Sequence, residues 1–310
     1  MSIQEFGVLV KQTFQSWNED KAARLAAALS FYAVFSMAPV LVIALAVAGQ
    51  VIDRAEVEAQ ALQQIKDLIG PQGASFIQTV LENVRKPTDS ALASILGLVT
   101  LIFGAAGAFG QLQDALNTIW EVQARAGEGL GRLVRDKFLS FVMVVVTGFL
   151  LLISLISSTV ISALGGPLSG FTSQSATVLQ IINLVVSFGI IALTFAVILK
   201  VIPDVHLRWR DVWPGALMSA LLFTVGKYAI GLYLAHSSIS SSYGAAGSVI
   251  IILIWVYYSA QIFFVGAEFT KMYARKRGSP VRPTDRAKTV TEEARAHEGI
   301  PHAGQSEQHS

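Results

Sequence analysis

The sequence predicts an all-α, polytopic membrane protein with six transmembrane helices and both termini in the cytoplasm. Three observations lead there. Hydrophobic residues make up 53% of the 310 and charged residues only 14%, against about 25% charged in an ordinary soluble domain. The charges are clumped, and between them run six apolar stretches, each long enough to cross ~30 Å of hydrocarbon as a helix. Lys and Arg are also distributed unevenly over the loops that those stretches define.

The spans read as 24–50, 90–112, 138–163, 177–200, 212–236 and 245–271. Lys11, Lys21 and Arg24 precede the first. Arg125, Arg132, Arg135 and Lys137 follow the second, Lys200, Arg208 and Arg210 follow the fourth, and eight more cations lie in and just before the tail. The opposite loops hold only Arg54, Lys66, Arg85 and Lys86, diluted by six acidic residues. Positive residues mark the cytoplasmic side, so the expected localisation is a bacterial inner membrane, multi-pass, N-in and C-in. No removable signal peptide is apparent, because the first apolar run follows Glu19 and Asp20 and is too long for one.

Outside the spans, residues 1–20 place Ile3, Phe6, Val10, Phe14 and Trp17 at helical spacing. This is an amphipathic helix for the inner membrane surface or for a neighbouring cytoplasmic loop. Residues 51–89 read as two short helices broken at Gly70–Pro71, forming an extracytoplasmic cap. After span two, Leu112, Leu116, Ile119 and Trp120 continue an apolar helical stripe. The transmembrane domain is 21–273, and 274–310 is expected to be a disordered cytoplasmic tail. The glycines of span two, Gly97, Gly104, Gly107 and Gly110, suit close helix packing or a hinge.

Ionisable and polar groups within spans are functional candidates by default. A rise of ~1.5 Å per residue puts Lys227 ~22 Å from the inner boundary. Tyr258, Gln261, Ser36 and Pro39 fall near the same level, and Asn183 and Ser187 of span four join them. Together they form a polar layer, read either as a substrate path or as interhelical glue. Glu268 lies only ~6 Å deep, within reach of Lys271, Arg210 or Arg24, as a cytoplasmic-side gate or anchor. Gly247, Ile254, Gln261 and Glu268 recur every seven residues, so this face of span six should meet protein or a cavity rather than lipid.

Other chemistry is thinly represented. The chain has no cysteine and five scattered histidines, which excludes disulfides and cysteine-type metal sites. No phosphate loop, nucleophile elbow or metalloprotease motif occurs. No catalytic, cofactor-binding or metal residues are therefore assigned, and no nucleic-acid surface is expected. The expected partners are the lipid bilayer and a small or lipid-like substrate; the oligomeric state is left open.

Several segments carry a resemblance. "AAALSFYAVFSMAPVL", "LQDALNTIW", "IPDVHLRWRDVWPGAL", "GKYAIGLYL" and "YGAAGSVIIILIWVYYSAQIFFVGAEFTK" together resemble the YihY/BrkB family of bacterial inner-membrane proteins, over about 15–275. The resemblance implies six helices and little settled biochemistry. Some members carry a ribonuclease label and others a link to serum resistance and virulence. The residues argue against a nuclease, since no metal-ligand cluster or catalytic dyad is visible. Two readings lead: a non-enzymatic transporter of a small or amphiphilic, anionic or lipid-like substrate, and a non-transporting membrane scaffold or envelope-maintenance factor; a tRNA-processing ribonuclease ranks last.

Overall fold

The structure, a computed structural model, describes residues 2–48, 54–85, 107–124, 173–236, 246–277, 281–285 and 287–291. Helix α1 (Ile3–Glu19) starts at Ser2. The Ser2 hydroxyl accepts from the Glu5 N–H while the Ser2 N–H donates to the Glu5 carboxylate, so two otherwise orphaned donors are satisfied. Lys21, at φ 50°, breaks the chain between α1 and α2 (Ala22–Ala48). Helix α3 (Arg54–Arg85) follows, then α4 (107–119) and strand β1 (Val122–Ala124). Next come α5 (Ser173–Val201), β2 (Val205–His206), α6 (Trp209–His236) and α7 (Gly247–Lys276). Two short strands close the described chain, β3 (Arg282–Pro283) and β4 (Ala287–Thr289).

Helix α7 is the central element, with α1, α2, α3 and α6 packed around it and α5 against α6. Helix α2 runs antiparallel to α7: Ala22 and Ala26 share a buried cluster with Phe264 and Ala267, while Val34 and Met37 meet Ile252 and Trp255 at the other end. Helix α6 is antiparallel as well, and small residues set its distance. A Cβ on Gly215 would lie 2.6 Å from the Gly266 carbonyl and collide with Thr270 Oγ1; one on Gly266 would collide with Ser219 Oγ. Backbones can approach this closely only where side chains are absent.

Three described helices are long and apolar enough to cross a membrane: Leu184–Val201 within α5, Trp209–Tyr233 within α6, and Gly247–Lys276; Ala22–Met37 of α2 is apolar but shorter. Their outward faces carry Phe35, Val185, Val225, Tyr228 and Leu232, all more than half exposed. Spans one, four, five and six of the sequence reading correspond to α2, α5, α6 and α7. Span three, and span two up to residue 106, lie outside the described residues.

Two expectations change. The segment 51–89 contains one long helix rather than two, with Pro71 inside α3. An internal proline costs ~3 kcal/mol, but Leu62 and Ile65 before it and Ile77 and Leu81 after it dock on one surface with Ile252 and Trp255, and that burial holds the helix straight through. The chain after 274 is also not wholly disordered. Helix α7 continues to Lys276, β4 pairs antiparallel with β1, and β3 pairs antiparallel with β2. Backbone pairing of two- and three-residue strands leaves no periodicity in a polar sequence. Helix α1 packs on α7, with Leu9, Thr13 and Ser16 buried and the Phe6 ring 6.2 Å from that of Phe269, while Phe6 and Phe14 of its apolar stripe stay exposed.

Candidate functional site

The end of α7 that bears Lys271 carries a buried charge cluster. Lys271 Nζ lies 2.9 Å from Asp20 Oδ2, 3.1 Å from Ser16 Oγ, 3.2 Å from Glu121 Oε1 and 3.6 Å from Glu268 Oε2. The second Glu121 oxygen accepts from Arg275 Nη2 at 2.7 Å. Glu268 is 0% exposed, Asp20 1% and Lys271 2%. Three acidic side chains thus face two basic ones, one of which, Arg275, is half-exposed.

Local backbone geometry delivers these groups. Glu268 and Lys271 are three residues apart on α7, so they share a face. Asp20 is the C-terminal cap of α1, and Lys21 beyond it is left-handed. Glu121 ends α4 in the same way, at φ 56°. Left-handed backbone at a residue other than glycine costs of order 1–3 kcal/mol and concentrates at functional sites. Here it occurs twice, once beside and once at an acid that reaches Lys271. Among the described residues, neither oxygen of Glu268 has a hydrogen-bond partner within bonding distance, and the indole N–H groups of Trp17 and Trp120 have no acceptor. A cavity of about 290 Å³, lined by Trp120, Glu121, Arg275, Pro283 and Thr289 among others, reaches Lys271 from the strand side.

A second buried polar knot lies nearby. Asp204 Oδ2 accepts from Asn117 Nδ2 at 3.0 Å and from Gln113 Nε2 at 3.1 Å, and the Asp204 N–H donates to Asn117 Oδ1 at 2.8 Å. It joins α4 to the α5–α6 turn. The turn is tied further: Lys200 Nζ donates to the Leu207 carbonyl, and Thr284 N–H donates to the Asp204 carbonyl. Val290 N–H donates to the Glu121 carbonyl at 2.9 Å. The strands after α7 therefore brace both polar knots.

The residues named from the sequence distribute as follows. Of the three cations expected near Glu268, Lys271 takes that place, whereas Arg24 and Arg210 are exposed. The seven-residue stripe does face inward: Gly247 and Glu268 are buried, and Ile254 and Gln261 are half-buried. Lys227 is half-buried, its ammonium 5.0 Å from the centre of the Tyr228 ring. Tyr258 packs its ring edge and hydroxyl onto Gly226, next to Lys227. Ser36 is buried and donates to the Ala33 carbonyl at 3.1 Å, within its own helix. Ser187 is half-buried on α5. Pro39 falls within α2 and Asn183 within α5, but their side chains lie outside the described ones. Sequence reasoning missed Asp20, Ser16, Glu121 and Asp204. Among the described residues, no group of three or more His, Cys, Asp or Glu is placed to hold a metal ion.

A helical protein with apolar, outward-facing helices and a charge cluster buried among them is an integral membrane protein, and relatives agree. The family described as virulence factor BrkB matches residues 13–291, and the chain belongs to it. That match takes in the strands after α7. A UPF0761 membrane protein of Tolumonas auensis is 30% identical over 197 residues, covering 61% of this chain and 59% of that protein. Another, from Cronobacter sakazakii, is 28% identical over 82% of this chain and 84% of its own length. A third, from Methylibium petroleiphilum, is 26% identical over 83% of this chain. The chain spans about 60% of the length of the Tolumonas and Methylibium relatives. No solved structure matches.

Proposed function

We propose that the chain is a six-span protein of the bacterial inner membrane, with both termini in the cytoplasm, that moves a small or amphiphilic anionic substrate. The Asp20–Glu121–Glu268–Lys271 cluster is its cytoplasmic-side gate. Positive residues set the orientation, and the exposed Phe6, Val8 and Phe14 of α1 rest on the inner leaflet. No enzymatic step and no nucleic acid enter the proposal. Its partners are bilayer lipid and the substrate.

Glu268 carries the reading. An acidic side chain at 0% exposure, with no hydrogen-bond partner among the described residues and one lysine shared among three acids, is expensive as architecture. Well-packed apolar residues serve stability as well or better than buried ion pairs. Intramembrane charges mark pathways and gates. The cluster joins the α1–α2 junction, the end of α4 and α7, the three pieces that must separate for a path to open on that side. The cavity of about 290 Å³ supplies the route from solvent.

The test is transbilayer movement of a head-labelled fluorescent phosphatidylglycerol in vesicles containing the purified chain. Movement above protein-free vesicles, lost in Glu268→Gln, is the expected result. Absence of movement in the wild-type chain, or equal movement in the variant, overturns the proposal.

A second reading, a non-transporting scaffold, draws on one observation. Lys227 already has a partner in the Tyr228 ring, and at the Gly215–Gly266 seam α6 and α7 are in close contact. Lys227→Met separates the two. A scaffold keeps its function with unchanged or higher stability, whereas a transporter that uses the mid-membrane polar layer stays folded and loses transport.

A further inference from the structure

A groove separate from the charge cluster opens on the opposite side of α7. Its volume is about 650 Å³, and it lies among α1, α5, α6 and α7. Its floor is apolar, formed by Phe188, Leu217, Met218 and Leu221, and its mouth holds Lys276 and Arg277. We infer that this groove binds an anionic phospholipid of the cytoplasmic leaflet, with an acyl chain along the floor and the phosphate on Lys276 and Arg277.

Depth, charge and position all favour that occupant. Trp209 and Trp213, 46% and 39% exposed, mark the interfacial level of α6 by their amphipathic rings. Leu221 lies twelve residues beyond Trp209, so the groove reaches ~18 Å below that level. That is slightly more than one leaflet of a ~30 Å hydrocarbon core, the depth of one acyl chain. A soluble anion would use only the mouth and leave the apolar floor empty.

The mouth has the complementary charge. Arg277 lies over the Tyr273 ring at 4.9 Å, which orients its guanidinium without neutralising it. Lys276 is 3.6 Å from Glu5, an exposed pair that contributes little and can be exchanged for a phosphate. Among the described residues Glu5 is the one acid lining the groove, and it is the residue that α1 places there through its capping box. Basic pockets between helices on the cytoplasmic side are recognised sites for anionic head groups. The inference goes beyond the transport reading, because it concerns occupancy of the groove and is read by binding whether or not anything crosses the bilayer.

The test uses the full chain in phosphatidylcholine bilayers doped with a phosphatidylglycerol that carries a photoreactive group on one acyl chain. Adducts should map to Phe188 and to Leu217–Leu221. Lys276→Gln and Arg277→Gln should each lower the yield about fivefold, without changing thermal stability, because both residues are exposed. Glu5→Gln keeps a side chain able to complete the capping box and should raise the yield by removing the competing carboxylate. This gain cannot arise from misfolding. Three results would overturn the inference: equal labelling by a phosphatidylcholine probe, adducts spread evenly over Val225 and Leu232, or no response to any of the three substitutions. Effective competition by inorganic phosphate at equal concentration would also overturn it, since the site would then read a free anion.

Discussion

Replacing Lys271 by Met tests the cluster directly. The substitution keeps the length of the side chain and removes the ammonium that lies 2.9 Å from Asp20, 3.2 Å from Glu121 and 3.6 Å from Glu268. Asp20 and Glu268, at 1% and 0% exposure, would then lose the ammonium they are buried against. Breaking a buried pair by deleting one partner costs about 3–5 kcal/mol. At 2–4 °C per kcal/mol for a chain of this size class, the melting midpoint should fall by roughly 6–20 °C. Glu268→Gln does the reverse: it leaves two carboxylates against two cations, and stability should hold or rise. The double variant should recover part of the loss, with a coupling of about 0.5–3 kcal/mol. The midpoints can be followed in detergent by tryptophan fluorescence, for which the chain has five reporters. A Lys271→Met midpoint within about 2 °C of wild type, the range of an ordinary surface change, would refute the reasoning. So would strict additivity of the two substitutions.

Further outcomes follow from the packing and the strands. Asp204→Ala removes the acceptor for both the half-buried Gln113 and the buried Asn117, and should cost about 1–3 kcal/mol in the same melting assay. Gly215→Ala has no room beside Gly266 and Thr270 and should cost about 1–3 kcal/mol, whereas Gly7→Ala, with nothing within 4 Å, should gain up to about 1 kcal/mol in α1. Truncation after Gly278 removes β3 and β4, and with them the donors to the Asp204 and Glu121 carbonyls. Limited trypsin digestion should then cut at Arg208 and Arg210 faster than in the full chain.

The helical spans were legible because hydrocarbon demands long apolar runs, and α2, α5, α6 and α7 are such runs. The inward stripe of α7 was legible too, since a seven-residue repeat keeps nearly one helix face. That Glu268 needs a cation, and that Lys271 stands one turn away, could be read from the chain. The rest of the cluster could not. Asp20 is 251 residues from Lys271, and in the sequence it is an ordinary polar residue between an amphipathic helix and a span. Its burial depends on a left-handed Lys21 that no glycine announces. Glu121 reaches the same ammonium through an equally unannounced left-handed turn. The Asp204 knot joins residues 87 apart, and the only sign was that both partners lie in motifs quoted for the family resemblance. The strands after α7 were illegible because a polar, proline-containing segment with no period reads as disorder until its backbone partners are known.

In the proposed function the cluster is a gate, closed when its charges balance and opened when they do not. The chain has no native cysteine, so two introduced ones, at the exposed Asn18 of α1 and Lys288 of β4, can carry spin labels across it. Pulsed dipolar spectroscopy in lipid bilayers should give a mixture of short and long distances in the wild-type chain. Glu268→Gln should collapse that mixture to the short distance, and Lys271→Met should shift it to the long one. A single, identical distance in all three proteins would contradict the account.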